Sequence, residues 1–177
     1  MKLISVLVAS LTMINNLWSI DVLPQSMKDY FLCIAVDQNN NGRIRKMLDR
    51  GANPNARCGN MIQSVPLHIA AGMGNTEALA LLLAKGAQVD ATDATGATAV
   101  HHAILGSRTG DRGTLEAVLK AGANPNQKDK HGLMALDEAV LNCQRDLVEL
   151  LLQYGLQATP EQLDMSHCTA ESKKRLK

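Results

Sequence analysis

Hydrophobic positions along this chain gather into short leucine-rich blocks, each closed by a glycine. The blocks are RKMLDRG ending at Gly51, ALLLAKG at Gly86, AVLKAG at Gly122 and VELLLQYG at Gly155. Each block reads as the end of a helix, because glycine supplies the left-handed residue that stops one. Downstream of each glycine a turn-forming stretch comes first, such as DATDATG at 90–96 or QKDKHG at 127–132. A short helix start follows: VPLHIAA at 65–71, TAVHHAI at 98–104 and MALDEAV at 134–140. A brief polar break then leads into the next leucine block. The glycines lie 35, 36 and 33 residues apart, so the pattern is a repeated unit of turn, short helix, loop and longer helix. Neither helix of such a unit buries its apolar face alone, so successive copies must stack into one continuous core.

The phase of the repeat divides the chain. Residues 1–19 stand apart, and 20–177 form the repeat domain, with copies over 24–57, 58–92, 93–128 and 129–158. The first copy lacks its turn and places Tyr30, Phe31 and Ile34 on its inner face. A C-terminal cap at 159–177 is expected to be helical, since Thr159 is a capping residue followed by Pro160 at the first helical position. The motif GANPN at 51–55 and 122–126, with GAQVD at 86–90 between them, is punctuation between copies, expected to make few contacts of its own.

The stretch VPLHIAAGMGNTEALALLLAKGAQVDATDATGATAVHHA resembles the ankyrin repeat, with its T-P-L-H-x-A opening, its Gly between helices and its G-A-D-V-N-A close. The resemblance runs from about Leu32 to Thr159. It implies an all-α repeat solenoid of about four stacked helix-turn-helix units with β-turn or hairpin fingers. Val65 replaces the usual Thr, Ala99 and Ala135 replace the Pro, and Asp137 stands where His is expected. Two lengths also depart. The turn from Cys58 to Ser64 is two residues longer than in the other copies, and the break at 105–113 in the third copy gains three. Extra residues in a repeat protein go into loops, where binding specificity or neutral drift can accumulate.

Composition narrows the function. The chain is 46% hydrophobic but only 2% aromatic, which suits closely stacked helices built from Ala, Leu, Ile, Val and Met. A net charge of +1 offers no global case for nucleic acid or a membrane surface. The N-terminal MKLISVLVASLTMINNLWSID has a charged start, a short apolar run and a polar exit, the layout of a secretory signal. The run falls short of the about 20 apolar residues that span a bilayer. The expected location is therefore extracytoplasmic, periplasmic or secreted, with an uncleaved membrane anchor or a cytoplasmic first helix as alternatives. Cys33, Cys58, Cys143 and Cys168 are too scattered for a disulfide framework, although export would favour oxidation of one pair. Cys33 occupies the His position of the first copy and is expected to be buried and inert.

His68 and His101 recur at one place in each unit, which predicts a structural role, with Thr98 placed to bond His101. Gly51, Gly86 and Gly122 are structural in the same way. His102 beside His101, with Asp93, suggests a metal only weakly, because adjacent helical residues point about 100° apart. No nucleophile elbow, phosphate loop, metalloprotease motif or paired-carboxylate motif is present. No catalysis, cofactor, metal, nucleic acid or small-molecule substrate is expected. A basic tail at Lys173, Lys174, Arg175 and Lys177 reads as a solvated end.

The expectation is a monomeric, non-catalytic module that binds a protein on the concave face built from turn tips and short helices. The ankyrin resemblance implies which positions vary to suit a partner: Arg57, Asn60, Met61, Gln63, Met73, Thr95, Leu105, Lys128, Lys130, His131, Leu133 and Asn142. Met61, Met73, Leu105 and Leu133 would be apolar anchors, and Arg57, Lys128, Lys130 and His131 a mildly basic rim. The competing readings are a membrane-tethered structural adaptor and, more remotely, an enzyme using a Cys or the His101/His102 pair.

Overall fold

The computed structural model describes residues 23–106, 112–165 and 168. Among them are eight α-helices: α1 (Gln25–Asp37), α2 (Asn41–Asp49), α3 (Pro66–Gly72), α4 (Thr76–Ala84), α5 (Ala99–Gly106), α6 (Arg112–Lys120), α7 (Ala135–Leu141) and α8 (Arg145–Gln153). They form four antiparallel pairs. The first helices of the pairs, α1, α3, α5 and α7, stack into an inner layer, and α2, α4, α6 and α8 into an outer one. The core is a single cluster running between the layers, from Leu32 and Ile44 through Leu67, Leu79, Val100 and Leu115 to Leu136 and Leu147. This is the expected all-α solenoid.

Local chemistry explains the helix ends. Asn40 accepts from the Arg43 amide at 3.0 Å to start α2, and Asn75 accepts from the Ala78 amide at 2.8 Å to start α4. Pro66 opens α3, where its missing N–H costs nothing. The outer helices end at Gly51, Gly86, Gly122 and Gly155, all with φ between +81° and +91°. The hinge between inner and outer helices also requires a left-handed residue. It is Gly74 in the second pair, but Asn39 in the first (φ +54°) and Cys143 in the fourth (φ +58°).

The GANPN motif does more than punctuate. Asn55 donates to the Gly86 carbonyl at 3.0 Å and accepts from the Gln88 amide at 2.8 Å. Asn126 repeats both bonds two units on, to Gly155 and from Gln157. Each second asparagine therefore ties its unit to the following one, which overturns the expectation of few contacts. Asp29 and Asp90 receive the amides of Asn53 and Asn124 in the same periodic way.

Glycines also set how closely units approach. A Cβ at Gly106 would overlap the Gly72 carbonyl oxygen and lie 2.5 Å from its Cα and carbonyl carbon. Gly106→Ala is therefore expected to push α5 off α3 and lower stability by about 2–3 kcal/mol, read as a fall in the urea midpoint. An unchanged midpoint would show that the helix end moves aside freely.

The termini differ from expectation. Tyr30 is exposed rather than on an inner face, while Phe31 and Ile34 are half-buried. The cap begins as predicted, with Thr159 and Gln162 exchanging bonds between side chain and amide. Its described part, however, is a turn at Pro160–Leu163 and not a helix. The leader at 1–19, most of the enlarged break at 105–113 and the basic tail lie outside the described residues.

Candidate interaction surface

Three fingers project from the inner layer, at 58–64, 93–97 and 129–133. Each closes by an amide-to-carbonyl bond: Cys58 to Ser64 at 2.8 Å, Asp93 to Ala97 at 3.0 Å and Asp129 to Leu133 at 2.9 Å. In the second finger the Asp93 carboxylate caps the turn, taking the amides of Thr95 (2.7 Å) and Ala97 (3.1 Å) on Oδ1. Asp129 does the same in the third, with the amides of His131 and Leu133. Burial alone would raise both acids. The hydrogen bonds they accept outweigh it and hold both below the usual carboxylate range.

The inner-helix histidines brace this arrangement. His68 Nδ1 accepts the Val65 amide at 3.3 Å, and its Nε2 donates at 2.7 Å to the carbonyl of Ala91, which leads into the next finger. The ring is fully buried, and that burial pulls its pKa down to about 4, so it is neutral. His101 repeats the pattern, with Nδ1 facing the Thr98 amide and hydroxyl and Nε2 donating to the Leu133 carbonyl at 3.4 Å. Burial lowers its pKa too. In the fourth unit Asp137 takes the Met134 amide at 2.7 Å, so a carboxylate performs the local half of the histidine's work.

His101 and His102 do not converge. His102 turns to stack on His68 (centroids 4.9 Å, interplanar angle 19°) and bonds Asp93 Oδ2 through Nε2 at 2.9 Å. Donor atoms of His68, Asp93 and His102 lie within 4.8 Å of one another. Both His68 nitrogens and both Asp93 oxygens are already committed to hydrogen bonds, and parallel rings direct their lone pairs side by side rather than at one point. The cluster joins two units through polar contacts.

Exposed apolar side chains follow the same geometry. Of the large exposed hydrophobics, Met61, Ile62 and Leu133 are on fingers, while Met73, Leu105 and Leu141 end the inner helices. Met61 is fully exposed at the tip of the enlarged finger. Among the described residues, only Tyr30 and Leu152 of this group lie elsewhere. Neighbouring tips are joined by backbone bonds, Ala94 N–H to Ile62 at 2.7 Å and Lys130 N–H to Thr95 at 2.9 Å. The exposed apolar side chains thus gather at the fingers and at the C-terminal ends of the inner helices.

A family described as ankyrin repeats, in three copies, matches residues 32–129. The chain belongs to the ankyrin-repeat family. It is 35% identical over 141 residues to the human protein "Transient receptor potential cation channel subfamily A member 1", covering 77% of this chain and 12% of that protein. It is 28% identical over 138 residues to the Caenorhabditis elegans homolog of that channel, covering 77% of this chain and 11% of the relative. The human "SH3 and multiple ankyrin repeat domains protein 2" is 36% identical over 95 residues, 53% of this chain and 5% of that protein. The chain thus spans about a tenth of the length of the first two relatives. Ankyrin repeats generally mediate protein–protein interaction and are generally non-catalytic.

Within this ankyrin stack the residues expected to meet a partner divide into two sets. Asn60, Met61, Gln63, Met73, Leu105, Lys128, Lys130, His131 and Leu133 are exposed. Arg57 is exposed, but its guanidinium is engaged, donating to the carbonyls of Gln63 (2.9 Å) and Thr92 (2.7 Å). Thr95 is half-buried and bonded to Asp93, and Asn142 is half-buried at the C-cap of α7. Ile62, exposed beside Met61 in the enlarged finger, is not among the positions expected to meet a partner.

The cysteines require the largest correction. Both pairs are oxidised: Cys33 to Cys58 and Cys143 to Cys168, with Cα–Cα distances of 5.4 and 5.7 Å. Cys33 is buried as expected but is not a free thiol. The missed signal is the identical separation of 25 residues in each pair, at opposite ends of the array.

Proposed function

We propose that this ankyrin stack binds a protein partner on the edge formed by its fingers and inner-helix ends, and that it works outside the cytoplasm. The single observation that supports the surface is the concentration of exposed apolar side chains there, from Met61 to Leu141. Scattered surface apolars are ordinary; six on the fingers and inner-helix ends of a repeat stack suit a partner-binding face. The exposed Lys128, Lys130 and His131 supply a polar rim beside Leu133. Two disulfides favour an oxidising compartment, in line with the leader-like N-terminus.

Two measurements test the two halves. Crosslinking of the native protein in its source cells should place adducts on residues 61–63, 73, 105 and 130–133, and adducts confined to α4, α6 and α8 would refute the surface. Mass spectrometry of the purified protein should show loss of about 19 residues. An intact Met1 would defeat export by cleavage and favour the tethered adaptor. No helix among the described residues is long and apolar enough to cross a membrane.

A further inference from the structure

The first finger lacks both devices that brace the other two. Its closing bond places Cys58 where Asp93 and Asp129 stand in the later fingers. A disulfide-bonded sulfur is a poor acceptor and does not take two backbone amides as those carboxylates do. Asn60 compensates in part, accepting the Ser64 amide at 2.8 Å. Its preceding inner helix, α1, likewise offers no histidine: Cys33 occupies the position of His68 and His101. Those histidines reach forward to the carbonyls of Ala91, two residues before the second finger, and Leu133 in the third. Cys33 reaches forward to the finger that follows it as well, and does so covalently.

We propose that the Cys33–Cys58 disulfide is the positioning latch of the first finger, replacing at once the histidine that braces each later finger and the aspartate that caps it. The finger so held is the longest of the three, two residues longer than its counterparts, and carries the fully exposed Met61. Gln63 sits within it at φ +49°, a conformation that L side chains adopt only when surroundings enforce it. The Ile62 carbonyl accepts the Ala94 amide, so the latch also sets the position of the second finger. Reduction by a dithiol would add two electrons and two protons, releasing two thiols as the reductant closes to its own disulfide. The shape of the first finger then depends on thiol state. Its consequence for recognition rests on the proposed function, whereas the latch itself is tested without a partner.

Hydrogen exchange of the oxidised protein is compared with that of a variant carrying Cys33→Ala and Cys58→Ala. The amides of Gln63, Ser64 and Ala94 should exchange at least tenfold faster in this variant than in one carrying Cys143→Ala and Cys168→Ala, which loses a loop of the same length and so the same global stability, while Leu79 in α4 should exchange alike in both. Equal rates at the first finger in the two variants would make the disulfide a general staple and overturn the latch. A third variant, Cys33→His with Cys58→Asp, restores the pair used by the later fingers. It should return Ser64 to slow exchange, and failure to do so overturns the equivalence. If crosslinks avoid Met61 while the exchange pattern holds, the binding surface fails and the latch stands.

Discussion

Reduction of both disulfides is expected to remove about 7 kcal/mol of stability. Each closes a 25-residue loop. Closing a loop of that length in the unfolded chain contributes about 3.5 kcal/mol in the chain-entropy account. The loops 33–58 and 143–168 do not overlap, so their effects should add. Domains are generally stable by about 5–15 kcal/mol, so the loss is a large share of what holds the chain folded. Urea unfolding with and without dithiothreitol measures it. A change in midpoint equivalent to less than about 1 kcal/mol would show that helix packing alone holds both ends.

Acid should weaken the oxidised protein through His68. Its folded pKa is about 4, against 6.5 when free. Between those values the unfolded chain takes up a proton that the folded chain refuses, so stability rises with pH across the window. The contribution is fully present above 6.5, falls as pH drops through the window, and is gone near pH 4. The difference corresponds to about 3 kcal/mol. His101 shifts in the same direction and steepens the loss. Asp93 and Asp129, held low by their hydrogen bonds, extend it at the acid end as they protonate. Stability measured at pH 7.5 and 4.5 should differ clearly, and His68→Gln should flatten that slope while lowering stability at pH 7.5. A slope identical in wild type and variant would remove His68 as its source.

What could be read from residues alone was the part governed by local chemistry. Gly51, Gly86 and Gly122 mark helix ends because few other residues tolerate positive φ. The recurring His68 and His101 pointed to bracing because one residue type in one place per unit suits a periodic job. Pairing across units was hidden. Cys33 and Cys58 come together only because the first finger folds back over α1, and Asn55 reaches Gly86 only once neighbouring units are in register. His102 illustrates the same limit from the other side. Its neighbour in sequence, His101, faces the following finger, while its true companions are His68 and Asp93 on two different elements. At Thr159 and Pro160 the capping bonds expected of a helix start do form, yet the described segment from Pro160 to Leu163 makes a turn.

The bonds from Ala94 to Ile62 and from Lys130 to Thr95 carry a mechanical consequence. They link the three tips in series, like slats on a cord, while the outer helices are joined through side chains such as Lys85 and Asp49 at 2.8 Å. Side-chain links on an exposed face yield easily, and backbone bonds at a fixed spacing resist stretch. Such a stack bends more readily by opening its outer side than by spreading its tips. A load applied at Met61 is handed on to the third finger before any single tip gives way.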